Sequence, residues 1–156
     1  MVTRTDSGWD LSIDNRNGQR ALVIEVKRKI NVSPEWAASL RRNILAHGTF
    51  PQAPYFLMVF PDRLYLWANV DNNLDYSRPS YSIDATPLFK PYFERAGVTP
   101  DQISGESLEL IVTSWLGEMM YADRRLEPLD AAQPWLIESG LYAALAGGRF
   151  EDEAAA

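Results

Sequence analysis

WDLSIDNRNGQRALVIEVKRK, residues 9–29, decides how the chain is read. Residues 9–14 alternate, with Trp9, Leu11 and Ile13 on one face and Asp10, Ser12 and Asp14 on the other, the period of a half-buried strand. Asn15-Arg16-Asn17-Gly18 follows, and its Asn-Gly pair favours a two-residue type I′ turn into a second strand over residues 19–27. With Asn17 and Gly18 as the loop, Arg16 meets Gln19, and the register sets Trp9 against Val26, Leu11 against Ile24 and Ile13 against Leu22. All three pairs are apolar, whereas a slip of one residue would turn a whole hydrophobic set to water.

The other face of this hairpin has a different chemistry. The same register puts Asp10 opposite Glu25, with Lys27 two positions further along that face. Directly opposed side chains have Cβ atoms about 4.5–5.5 Å apart, where two carboxylates repel unless a cation lies between or beside them. Two oxygen donors and a backbone carbonyl, that of Val26, suit Mg²⁺, which takes hard oxygen ligands at about 2.0–2.1 Å and keeps waters. A water oriented by Lys27 would then be placed to attack a phosphodiester. The bland alternative is a solvated face with a salt bridge worth about 0–1 kcal/mol.

Outward from the hairpin, Ser33-Pro34 makes an N-cap followed by proline at the first helical position, and Ala37, Leu40 and Ile44 share a face up to His47-Gly48. PYFLMVF, residues 54–60, is apolar on both faces, the pattern of a central strand, and Pro61-Asp62-Arg63 turns into a partner strand, LYLWA. Past Asp71 a polar connection leads to helices expected near 85–96, 106–121 and Pro134–Ala146, the last stopped by Gly147-Gly148. EDEAAA, residues 151–156, reads as a frayed tail.

Bulk composition narrows the function classes. At 156 residues, 46% hydrophobic and 12% aromatic, the chain fits one domain over residues 1–150 with a real core, and no apolar run approaches the roughly 18 residues of a membrane span. With no cysteine and a polar start, MVTRTDSGW, a cytoplasmic setting is expected. The net charge of −6 is uneven: residues 1–50 hold eight Lys and Arg against five Asp and Glu, and residues 51–156 hold seven against sixteen. Local potential decides whether a polyanion approaches, so the basic part around the hairpin keeps nucleic acid open as a partner.

Asp10, fifteen residues ahead of Glu25-Val26-Lys27 at the end of an apolar strand, resembles the core motif of the PD-(D/E)XK nuclease superfamily, of restriction-endonuclease-like fold. The resemblance covers residues 9–67, where the helix and the strand PYFLMVF follow in the order of that fold, and is nearest to small stand-alone bacterial members. It implies an α/β architecture, a mixed central sheet flanked by helices, with the helical part over 85–147 as an addition. It also implies Mg²⁺ or Mn²⁺ held by Asp10, Glu25 and Val26, Lys27 acting on the attacking water, and DNA as the substrate. Trp9 stands where the family has proline, and the helix and strand that usually precede the aspartate are not found in the nine residues before Asp10, so either the start is trimmed or C-terminal helices or a partner chain would take their place.

Other residues weigh less. Asp14 is the second choice of ligand, Pro61-Asp62 reads as turn chemistry, and His47 reads as a helix-end residue. Arg41 and Arg42 are candidates for phosphate contact, alongside Arg28 and Lys29. Tyr65 and Trp67 would stack on bases only if exposed, and Trp115 and Met119 fit a core face. The second functional reading is a non-catalytic module of the same fold that uses its acidic C-terminal half to bind a protein partner in a defence or repair assembly; separately, an uncovered sheet edge or face makes self-association an expectation.

Overall fold

The structure, a computed structural model, describes residues 10–47, 53–68, 78–121 and 133–151. Its strands are β1 (Leu11–Asp14), β2 (Arg20–Val26), β3 (Tyr55–Val59), β4 (Arg63–Ala68), β5 (Tyr81–Asp84) and β6 (Arg149–Phe150). Its helices are α1 (Pro34–His47), α2 (Thr86–Ala96), α3 (Gly105–Tyr121), α4 (Pro134–Glu138) and α5 (Leu141–Leu145). The strands form one mixed sheet in the order β5-β4-β3-β2-β1-β6. β2 and β3 run parallel while their outer neighbours run antiparallel, so the chain is of the α/β class. A parallel pair needs a crossover, and α1 supplies it between β2 and β3.

Both faces of the central strands are covered, which is why RALVIEV and YFLMV carry almost unbroken apolar runs. On one face Leu22, Ile24, Val26, Leu57 and Val59 pack with Phe89, Phe93, Leu108, Val112 and Leu141 from the later helices. On the other, Val23, Phe56, Met58, Phe60, Tyr65 and Trp67 lie under α1, which contributes Ala37 and the partly buried Leu40 and Ile44. Alternation along β2 puts Glu25 on the face of Val23, beside Met58 of β3, its partner in the parallel ladder.

The β1–β2 hairpin keeps the expected apolar pairs Leu11 with Ile24 and Ile13 with Leu22, but reaches them by another turn. Among the described non-glycine residues only Asn31 has positive φ, so Asn17 is not in the left-handed region that a type I′ turn needs, whereas Gly18 is, at φ 82°. Asn15 closes the loop instead: its N–H donates to Gln19 O (2.8 Å), and its Oδ1 accepts the N–H groups of Asn17 (2.9 Å) and Gln19 (3.0 Å). The side chain captures two amides of a three-residue loop, the local competition at which asparagine excels. A register shift between Ile13 and Asp14 then restores the pairing that the hydrophobic faces require.

The C-terminal part departs from expectation twice. The single helix expected over Pro134–Ala146 breaks into α4 and α5 at Ser139-Gly140, where Gly140 takes φ 85°. Tyr55 Oη donates to Ser139 O at 2.8 Å and lies 2.8 Å from where a Cβ on Gly140 would sit, so the break is built around a strand residue. Residue 151, expected in the frayed tail, is fastened: Glu151 N–H donates to Ser12 O (3.0 Å), and its carboxylate meets the Ser12 hydroxyl (3.0 Å) and the Arg20 guanidinium. β6, which sequence patterning did not suggest, pairs with β1 just before it. Trp9, the connection over 69–77 and the remaining tail over 152–156 lie outside the described residues. No described helix is long and apolar enough to cross a membrane.

Candidate active site

β2 ends in the residues that matter chemically. Glu25 is buried with 6% of its surface exposed, and its Oε2 lies 3.2 Å from Lys27 Nζ. Lys27 belongs to the same face two positions on, with its side chain 44% exposed, so the pair has a buried carboxylate and a wet ammonium.

Asp10 comes to the same place from the neighbouring segment. Its N–H donates to Ile24 O at 2.9 Å, and its Oδ2 accepts the N–H of Val26 at 2.7 Å. The expected side-by-side pairing of Asp10 with Glu25 is therefore not how they meet: the ladder ends at Leu11 with Ile24, and Asp10 turns its carboxylate onto the peptide that joins Glu25 to Val26. The Asp10 carboxylate and the Glu25–Lys27 pair are thus both anchored at the C-terminal end of β2.

The segment after β2 is tied down at several points. Lys27 N–H donates to Val59 O (2.9 Å), Asn31 N–H donates to Asp62 Oδ2 (3.1 Å), and Tyr65 Oη donates to Val32 O. Asn31 adopts φ 59°, a left-handed conformation that asparagine tolerates better than most residues. α1 then starts on a Ser33 cap, whose Oγ accepts the N–H of Trp36 at 3.1 Å. Asp62, read from sequence as a turn residue, thus also holds the approach to the acidic pair, and its own carbonyl accepts Ala85 N–H at 3.1 Å.

The donor chemistry fits a hard divalent cation. Each carboxylate can accept roughly four contacts, so the bonds named above are compatible with holding an ion as well. Among the described residues no group of three or more His, Asp or Glu side chains converges. The oxygen donors that could hold a cation here are the Asp10 and Glu25 carboxylates and the Val26 carbonyl, and hard oxygen donors suit Mg²⁺ better than zinc.

The other sequence candidates divide. Arg41, expected to meet phosphate, is buried with 3% exposure, its guanidinium 5.7 Å from the ring centroid of Phe56 and 5.2 Å from that of Trp67. Burial pushes its pKa down to about 10. It faces the sheet because the inward stripe of α1 runs through Ala37 and Arg41, one turn apart. Arg42 is partly buried beside it, while Arg28 and Lys29 are exposed. Asp14 sits at the hairpin end of β1, with its Oδ1 3.5 Å from Arg20 Nε, away from Glu25. Tyr65 and Trp67 are each 1% exposed and unavailable for stacking, and Trp115 and Met119 are core as expected. Among the described residues, Trp36, beside Lys29, is an exposed aromatic at 41%, which periodicity alone gave no reason to single out.

Compared with known proteins, the chain matches no family model, no curated protein and no solved structure.

Proposed function

We propose that the chain has a restriction-endonuclease-like fold and is a Mg²⁺- or Mn²⁺-dependent nuclease acting on DNA. The observation that carries this reading is the gathering of the Asp10 carboxylate, on Val26 N–H at 2.7 Å, and the Glu25–Lys27 pair, at 3.2 Å, on the end of one strand. The order β1-β2-α1-β3, with β2 and β3 parallel, supports the same reading.

Asp10, Glu25 and the Val26 carbonyl would hold the ion, which when bound makes a water more acidic and offsets charge on the scissile phosphate. Lys27 orients the attacking water and adds positive charge where the phosphorane charge develops. The water oxygen attacks phosphorus and releases a proton to solvent, the phosphorus bond to one bridging ester oxygen breaks, and that oxygen leaves with a proton from solvent. The Val26 N–H fixes Asp10, and the Lys27 N–H bond to Val59 fixes the backbone that carries the ammonium.

The test is cleavage of linear, supercoiled and branched DNA with Mg²⁺ or Mn²⁺ by wild type, Glu25→Gln and Lys27→Ala. Cleavage by wild type that falls at least about a hundredfold in both folded variants supports the reading, a loss of the size expected for removing a positioned catalytic group. Wild-type protein inert on every substrate and metal contradicts it and favours the non-catalytic partner module.

A further inference from the structure

The chain that leaves the acidic pair runs directly into an exposed aromatic ring. Lys27 is followed by Arg28, Lys29 and Ile30, all exposed, and Lys29 Nζ lies 5.4 Å from the centroid of the Trp36 ring. Trp36 is 41% exposed, and its other contact is an edge-on packing against Phe60, with ring centroids 6.3 Å apart. Phe60 is itself fully buried and bonded to the β3–β4 turn through its N–H to Arg63 O at 2.9 Å. The indole is thus a rigid shelf: its backbone is held by the Ser33 cap at 3.1 Å and its ring rests on the core.

A single exposed aromatic is ordinary on a protein surface, so the surroundings decide whether it has a use. Interfaces between proteins are depleted in lysine, whereas proteins that bind single strands combine cations that track phosphates with aromatic faces on which bases stack. Here the last of three consecutive cations, Lys29, lies over the indole. Lys29 is two residues beyond Lys27, at most about 7 Å along the chain, and the Trp36 ring centroid lies 5.4 Å from Lys29 Nζ. A base on Trp36 would therefore belong to a nucleotide in the same short stretch of strand as the one being cleaved.

We propose that Trp36 is a base-stacking platform, with Lys29 binding the phosphate of the stacked nucleotide, so that the protein selects single-stranded or frayed nucleic acid over intact duplex. A base inside a duplex is already stacked on its neighbours and offers no face to the indole, whereas an unpaired base does. This assignment rests on the nuclease reading for its biological use, but the stacking is measurable without cleavage.

Intrinsic fluorescence is titrated with oligothymidylate and with a blunt duplex of equal length, in EDTA, for wild type, Trp36→Phe, Trp36→Ala and Lys29→Ala. Trp67, Trp115 and Trp135 are buried and Trp9 lies outside the described residues, so only the part of the quenching that disappears in Trp36→Phe is assigned to this ring. The expected result is saturable quenching by the single strand that is lost in Trp36→Phe. Single-strand affinity should fall roughly ten- to a hundredfold in Trp36→Ala, with duplex affinity nearly unchanged. Trp36→Phe keeps an aromatic face and should retain most of the affinity, a rescue that lost folding would not give. Unchanged single-strand affinity in Trp36→Ala overturns the proposal and leaves the Ile30–Trp36 surface to a protein partner, and equal losses for single strand and duplex overturn the selectivity. Quenching that persists in a wild type without cleavage activity leaves the platform standing and removes the nuclease. Cleavage of single strands with the same KM in wild type and Trp36→Ala does the reverse.

Discussion

The carboxylate of Asp10 accepts the N–H of Val26 at 2.7 Å, and through that bond a residue outside the β1 ladder is locked onto the peptide beside Glu25. The bond gives Asp10 two separable roles, one in holding the hairpin end and one in offering oxygen to a cation. Asp10→Ala removes both, whereas Asp10→Asn keeps an acceptor for Val26 and loses the charge. In denaturant unfolding, Asp10→Ala should cost about 1–2 kcal/mol and Asp10→Asn clearly less. Both should lose metal-dependent cleavage. Equal stability losses would show that the bond to Val26 does not hold Asp10.

Asp62 acts one step further from the chemistry. Its Oδ2 accepts Asn31 N–H at 3.1 Å and so fixes the loop between Lys27 and α1, which makes it a positioning residue. Asp62→Ala should lower kcat about tenfold with KM little changed, because misplacement of a water-orienting group acts on the barrier. Asp62→Asn preserves an acceptor and should restore most of the rate. Failure of that rescue would mean that charge at this position, and not the tether, is what matters.

Arg41 tests the electrostatics of the α1 face. Its buried guanidinium stacks over Phe56 and Trp67, and burial lowers its pKa to about 10. Below that pH the native state carries the full cost of a desolvated charge. Between about 10 and the ordinary arginine value the native state gives up its proton while the unfolded state keeps it, so stability rises with pH there. Arg41→Met, which keeps length and loses charge, should be at least as stable as wild type at pH 7, by up to about 2 kcal/mol, with the difference shrinking above pH 10. Arg41→Ala, which leaves a void, should instead lose about 2–4 kcal/mol. A strongly destabilised Arg41→Met would mean that the cation–π contacts outweigh desolvation.

Much of this was legible in residues 9–29 because two independent patterns coincide there. The apolar faces fix Leu11 against Ile24 and Ile13 against Leu22 whatever the turn, so an incorrect loop at Asn17-Gly18 did not disturb the faces. The acids and Lys27 stood out because charge on an otherwise apolar strand demands a reason. What escaped was set by tertiary contacts. The break at Gly140 depends on Tyr55, 85 positions away, and no helix pattern contains that hydroxyl. Arg41, expected to meet phosphate, turns inward beneath α1, and Trp36, for which the sequence carried no expectation, stays exposed, because the rotation of a helix with few large apolar residues is decided by the sheet below it. Glu151 looked like tail until Ser12 and Arg20 gave it partners.

The central claim is that Asp10 and Glu25 share an ion. Electron paramagnetic resonance of added Mn²⁺, with free Mn²⁺ quantified against protein, measures this without any substrate. Wild type is expected to take up the ion saturably, and Glu25→Gln and Asp10→Asn, still folded, to leave it free. No uptake by wild type, or equal uptake by wild type and Glu25→Gln, would contradict the account.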